Sequence, residues 1–206
     1  MRNDWLKFPF YICFHPFKGY WDLKYEGKGR LWFAFMILFL LAIVMILKRQ
    51  YTGFIVNFNN LNELNSLAEF QYLIIPFFLW CVANWSITTL MDGEGKFKEI
   101  ILATAYAFIP MLIIYAVTIL ISQFITQEEA PLYFLLDSFA SIWFLGLLFV
   151  GIMTVHQYSV TKTIVTFFLT VCVMGLAVFL GLLLFSLFQQ MWTFIETIYR
   201  EMVYRT

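Results

Sequence analysis

Charge is scarce in this chain. Lys and Arg total 13 and Asp and Glu total 13 among 206 residues, so 13% of the sequence is charged. A soluble domain carries roughly 25%, which excludes an ordinary water-facing surface over most of the protein. The two signs cancel to a net charge of zero, without the strongly basic balance that marks a nucleic-acid binder, and no nucleic-acid partner is expected. Cysteine is rare as well. Cys13, Cys81 and Cys172 lie far apart, which excludes a disulfide framework or a paired metal-ligand motif. The first residues do not read as a cleavable signal, because charges, Pro9 and Pro16 interrupt any apolar region and no small-residue cleavage site follows.

What the chain has instead is apolar surface, with 62% hydrophobic residues and 21% aromatic ones. Residues 31–47 run without a charge for 17 positions, at the short end of the roughly 17 to 25 needed to cross a bilayer. Residues 70–91 form a second apolar segment carrying Pro76 and Asn84, and residues 100–121 a third with Tyr106 and Pro110. Residues 132–155 form a fourth, with Asp137 near its start and Gly146 and Gly151 further in. Residues 163–188 are uninterrupted for 26 positions, long enough to span with tilt. In the polar connection over 49–71, Leu61, Leu64, Leu67 and Ala68 recur at helical spacing, which predicts a short amphipathic helix leading into the second span.

Both ends read as interfacial. Residues 1–30 mix large aromatics with six basic and three acidic residues, the composition of a segment lying at headgroup level; a helix is expected over 17–26. Near the other end Met191, Trp192, Ile195, Ile198, Tyr199 and Met202 alternate with Gln189, Thr193, Glu196, Arg200 and Arg205, an amphipathic helix expected to lie on the membrane or dock onto the protein. The fold expected is therefore an all-α integral membrane protein with five transmembrane helices and interfacial amphipathic segments at both ends. Its parts are an N-segment (1–30), a five-helix domain (31–188) and a C-terminal amphipathic helix (189–206).

Five crossings put the two ends on opposite sides. With the N-terminus inside, nine basic residues fall inside and four outside, which favours a cytosolic N-terminus and an external C-terminus in a cytoplasmic membrane. Lys48 and Arg49 dissent from that bias.

The turn Asp92-Gly93-Glu94-Gly95-Lys96-Phe97-Lys98-Glu99 is the most conspicuous polar sequence between spans. A phosphate-binding loop needs a longer Gly-to-Gly-Lys spacing, a following Ser or Thr and a preceding strand, and none is here. A tight inter-helix turn explains it better, with Gly93 and Gly95 expected to supply positive φ and Lys96 and Lys98 at the cytosolic surface. Backbone N–H groups at the next helix start, with Lys96, also suit an acidic partner or a lipid headgroup. His15, His156 and Asp22 lack paired-ligand spacing, so interfacial hydrogen bonding is expected rather than a metal. Asp137, beside Ser138 and Ser141, is expected at the outer interface; a proton or ion pathway is the alternative. Pro76, Asn84, Tyr106 and Pro110 are expected to kink helices or to seek interhelical partners. Ser86, Ser138, Ser141 and Ser159 lack a nucleophile setting, and neither enzymatic activity nor a cofactor is expected.

Several stretches together resemble the Yip family, the Ypt/Rab-interacting-protein domain proteins, in its prokaryotic branch. They are His15-Pro16-Phe17-Lys18-Gly19-Tyr20-Trp21-Asp22-Leu23-Lys24; Ala83-Asn84-Trp85 leading to Asp92 through Ile100; Ala105-Tyr106-Ala107-Phe108-Ile109-Pro110; and His156-Gln157-Tyr158-Ser159. The resemblance implies five spans, a cytosolic N-segment and an adaptor role. The N-segment is short and lacks the Asp-Leu-Tyr-Gly-Pro type sequence of the eukaryotic members, so small-GTPase binding is not carried over. The expected activity is a multi-pass adaptor or scaffold that binds a membrane-protein partner, such as a transport-system component, or a second copy. Its contact residues would be His15, Pro16, Trp21, Asp92, Gly93, Glu94, Gly95, Lys96, Lys98, His156 and Lys162. A small transporter or channel using Asn84, Tyr106 and Asp137, and a membrane-shaping or lipid-binding protein, are the alternatives.

Overall fold

The computed structural model describes residues 4–58 and 65–204. Eight helices form among them: α1 (Asp4–Phe14), α2 (Pro16–Tyr25), α3 (Leu31–Tyr51), α4 (Ser66–Leu90), α5 (Phe97–Ala107), α6 (Ile109–Ile121), α7 (Ala130–His156) and α8 (Val160–Tyr204). The protein is an all-helical membrane protein, since α3, α4, the α5–α6 pair, α7 and α8 are long and apolar enough to cross a bilayer. We call the end of the bundle carrying Arg30, the 91–96 turn and Gln157 the proximal face, and the opposite end the distal face.

Local chemistry sets the boundaries. The side chain of Asn65 accepts from the N–H groups of Leu67 (3.0 Å) and Ala68 (3.3 Å), capping α4 where its first amide donors lack helical partners. Leu61 and Leu64, the first half of the expected amphipathic turn, lie outside the described residues. Helix α4 continues unbroken through Pro76. The third crossing divides. Pro110 has no N–H to return to the preceding turn, α5 ends at Ala107 and α6 begins at Ile109. Helix α7 closes with Gln157 in the left-handed region (φ 55°), a geometry that terminates a helix.

The centre of the bundle is α5. Every residue from Ile100 to Ala107 is buried, and its alanines at 103, 105 and 107 let α3, α4 and α7 approach closely, the packing mode available where lipid removes the hydrophobic drive between helices. By contrast α8 touches mainly α4. It buries a threonine stripe, Thr163, Thr166 and Thr170, and from Gly175 onward every described residue is exposed. No break separates the fifth span from residues 189–204, which continue the same helix.

The N-terminal aromatics do more than rest on the surface. Helices α1 and α2 form a tight hairpin, closed where Gly19 meets Ile12, and a Cβ at Gly19 would lie 2.7 Å from Ile12 Cγ1. Phe8 packs on Tyr106 (ring centroids 6.0 Å) and Phe14 on Trp143 (5.8 Å), a residue midway along α7. Ile12, Tyr20 and Leu23 are buried in the main core with Ile100, Leu102 and Ile152. Pro9 does not stop α1. The segment folds as a helical hairpin against α5 and α7, burying Phe8, Ile12, Tyr20 and Leu23 while Phe10, Phe14, Phe17, Trp21 and Tyr25 stay exposed.

Candidate functional site

At the proximal face the 91–96 turn sits on the 156–158 turn. Asp92, not a glycine, takes the left-handed conformation (φ 55°), which a short polar side chain tolerates. The glycines are required for space instead. A Cβ on Gly93 would lie 2.5 Å from His156 Nδ1 and 2.6 Å from the Tyr158 hydroxyl; one on Gly95 would lie 2.6 Å from both His156 Cε1 and Val155 Cγ1. The positive φ expected at Gly93 and Gly95 is thus corrected. Both glycines let backbone lie directly against a buried imidazole.

The contact is also polar. The Gly95 N–H donates to His156 Nδ1 (3.3 Å), and the Tyr158 hydroxyl donates to the carbonyls of Met91 (3.1 Å) and Thr88 (3.3 Å), satisfying the C-terminus of α4 in place of water. The His156 and Tyr158 rings stack at 5.3 Å. Burial, and then the nearby Asp92 charge, pushes the Tyr158 phenol above its ordinary range. On the other side of the turn Lys24 of α2 pairs with Glu94 at 3.0 Å. The side chain of Glu99 accepts from Lys96 N–H (3.0 Å) and caps α5.

Above this base the turn presents charge. Asp92, Glu94, Lys96 and Lys98 are exposed. Beside them α2 exposes Phe17, Trp21 and Tyr25, with Trp21 and Tyr25 in ring contact at 4.2 Å. Lys162 is half-buried and lies over the Tyr158 ring, 4.3 Å from its centroid. Pro16 starts α2. His15 is exposed and stacks on Tyr11 (4.9 Å), at the hairpin end rather than beside His156. Asp22 is buried and pairs with Lys28 at 2.8 Å; that hydrogen bond, with a second to Glu26, holds the Lys28 ammonium above its usual range. Among the described residues no three His, Cys, Asp or Glu side chains gather as metal ligands.

The intramembrane polar residues do not converge. Asn84 is fully buried and its Nδ2 donates to Thr170 Oγ1 on α8 (3.3 Å). Tyr106 packs between Phe8 and Phe33. Asp137 pairs with Lys48, whose ammonium lies 3.6 Å from the Tyr115 ring centroid, and Arg49 pairs with Glu69. The two basic residues that dissent from the charge bias are each held by a carboxylate. Sequence reasoning missed these pairings, the threonine stripe and the fit of Tyr20 against Gly151, where a Cβ would lie 2.9 Å from the ring. Only the threonines, at spacings of three and four inside an apolar span, carried a periodic signal.

A hairpin-wedged, five-crossing helical bundle with a glycine turn seated on a histidine defines a class of polytopic membrane protein. The model of the Yip1 domain family matches residues 10–194, covering α2 and the end of α1, all five crossings and both turns, and the chain belongs to that family. No curated protein and no solved structure matches it.

Proposed function

We propose that the protein is a non-enzymatic adaptor of the cytoplasmic membrane, of the prokaryotic branch of its family, with the proximal face and N-terminus in the cytosol and the C-terminus outside. The face docks a membrane-protein partner, such as a component of a transport system. One observation carries this reading: the exposed charges of the 92–98 turn rest on a base fixed by the Gly95–His156 and Tyr158–Met91 hydrogen bonds and the Lys24–Glu94 ion pair. A turn held this firmly presents its side chains with little ordering cost on binding. Exposed Trp21 and Tyr25 supply the aromatic anchors that interfaces favour, and Lys96 and Lys98 suit an acidic patch.

The dispersal of Asn84, Tyr106 and Asp137 to three different neighbourhoods favours this reading over a transport pathway. Purification of the tagged protein in mild detergent tests it. A stoichiometric partner is expected with the wild type and is lost on Lys96→Glu with Lys98→Glu. Isolation as a lone chain under every gentle extraction, or capture indifferent to both substitutions, contradicts it.

A further inference from the structure

At the distal face, away from the turn and hairpin, α3, α4, α6 and α7 leave an open cavity of about 260 Å³, lined by Lys48, Arg49, Thr52, Glu69, Tyr115 and Tyr133 among others. Four formal charges meet around it, with Lys48 paired to Asp137 and Arg49 to Glu69. Two ion pairs near a membrane face are costly to desolvate and are weak contributors to stability. Arg49 also keeps its Nε buried without a hydrogen-bond partner.

We propose that this cavity binds the headgroup of an ethanolamine-type zwitterionic phospholipid. The phosphate lies against Lys48 and Arg49, whose guanidinium and ammonium suit phosphate oxygens. The ligand's ammonium lies against the Glu69 carboxylate, the anionic group of the lining, because Lys48 itself already sits over the Tyr115 ring, 3.6 Å from its centroid. Three observations select this chemistry. The lining charges and Asp137 sum to zero, which suits a zwitterion and disfavours a purely anionic headgroup. The volume is just below the roughly 300 Å³ at which drug-sized pockets begin, enough for a headgroup and not for a large solute. Exposed apolar side chains neighbour the lining residues in sequence, Phe54 and Phe58 beside Thr52 and Val56, and Leu67 and Tyr72 beside Glu69, and Lys48, Arg49 and Glu69 occupy the last turn of α3 and the first turn of α4. That is the depth at which headgroups lie and acyl chains begin, so a lipid rather than a soluble solute is the occupant.

Native mass spectrometry of delipidated full-length protein in detergent tests the assignment. Phosphatidylethanolamine is expected to give a one-to-one adduct at least about tenfold tighter than phosphatidylglycerol, a difference of about 1.4 kcal/mol. That preference is expected to vanish in Arg49→Leu with Glu69→Leu, and separately in Lys48→Met with Asp137→Leu; each double change removes a whole pair, so no lone charge is left buried. Equal retention of the two lipids by the wild type overturns the proposal even if neither variant folds. So does undiminished preference in a folded variant. Glycerophosphoethanolamine is the soluble control, and its displacement of the lipid at equal concentration would assign the site to a soluble ligand and overturn the lipid as occupant.

Discussion

The backbone N–H of Gly95 donates to Nδ1 of His156 across 3.3 Å, joining the turn before α5 to the end of α7. Because Nδ1 accepts, the ring proton sits on Nε2, an atom that is buried without a hydrogen-bond partner. The imidazole is thus committed to holding the turn.

Gly95→Ala therefore places a methyl group where His156 and Val155 already are. Overpacking of this kind costs about 1–3 kcal/mol, read as a fall in Tm in detergent. Gly146→Ala, inside α7 where a Cβ meets nothing within 4 Å, is expected to leave Tm unchanged or raise it slightly, since Gly in a helix interior costs about 0.5–1 kcal/mol relative to Ala. Equal effects at both positions would remove the steric basis of the turn.

Asn84 and Thr170 make a polar link between α4 and α8. In a double-mutant cycle with Asn84→Ala and Thr170→Val, SDS titration is expected to give a coupling of about 0.6 kcal/mol and at most about 1.7. Additive effects would mean that α8 is held by threonine packing alone.

Lys48→Met or Asp137→Leu alone leaves an unpaired charge at a partly covered site, where the side chains are 18% and 31% exposed. Each single change is expected to cost about 1–3 kcal/mol, less than for a fully buried pair, while the double change returns close to wild-type stability. Thermal scans of all three decide it, and a double variant as weak as the singles would contradict the account.

Cys13 supplies a pH signature. Burial raises its thiol from 9.0 to about 11 in the folded protein. The folded state thus keeps a proton that the unfolded chain releases, so this stabilisation is present below pH 9 and is lost as pH rises through about 11. The gap in Tm between wild type and Cys13→Ala is expected to shift against the wild type from pH 8.5 to about 10.5. A constant gap would mean that Cys13 is not buried as described.

Much of the fold is legible from sequence because lipid is an exacting solvent: uncharged runs of sufficient length between polar turns mark the spans without any tertiary knowledge. Pro110 likewise marks the break in the third crossing. The packing of α1 and α2 onto the bundle is not legible in the sequence, since Phe8 and Tyr20, which are buried, look the same there as Phe10 and Phe17, which are exposed. Gly93 and Gly95 stand out in the sequence as a turn, yet only the placement of His156 beneath them separates a need for space from a need for φ. Lys48 and Asp137, like Arg49 and Glu69, are joined by helix packing that no local periodicity encodes.

The central claim is that the proximal face docks a partner, and photocrosslinking in intact membranes tests it most directly. A photoreactive residue is placed at Lys98 and, as the distal control, at Phe124, which is 87% exposed. The account predicts one discrete adduct from position 98, abolished by Lys96→Glu, and none of that mass from position 124. No adduct at 98, or the same adduct from both faces, would contradict it.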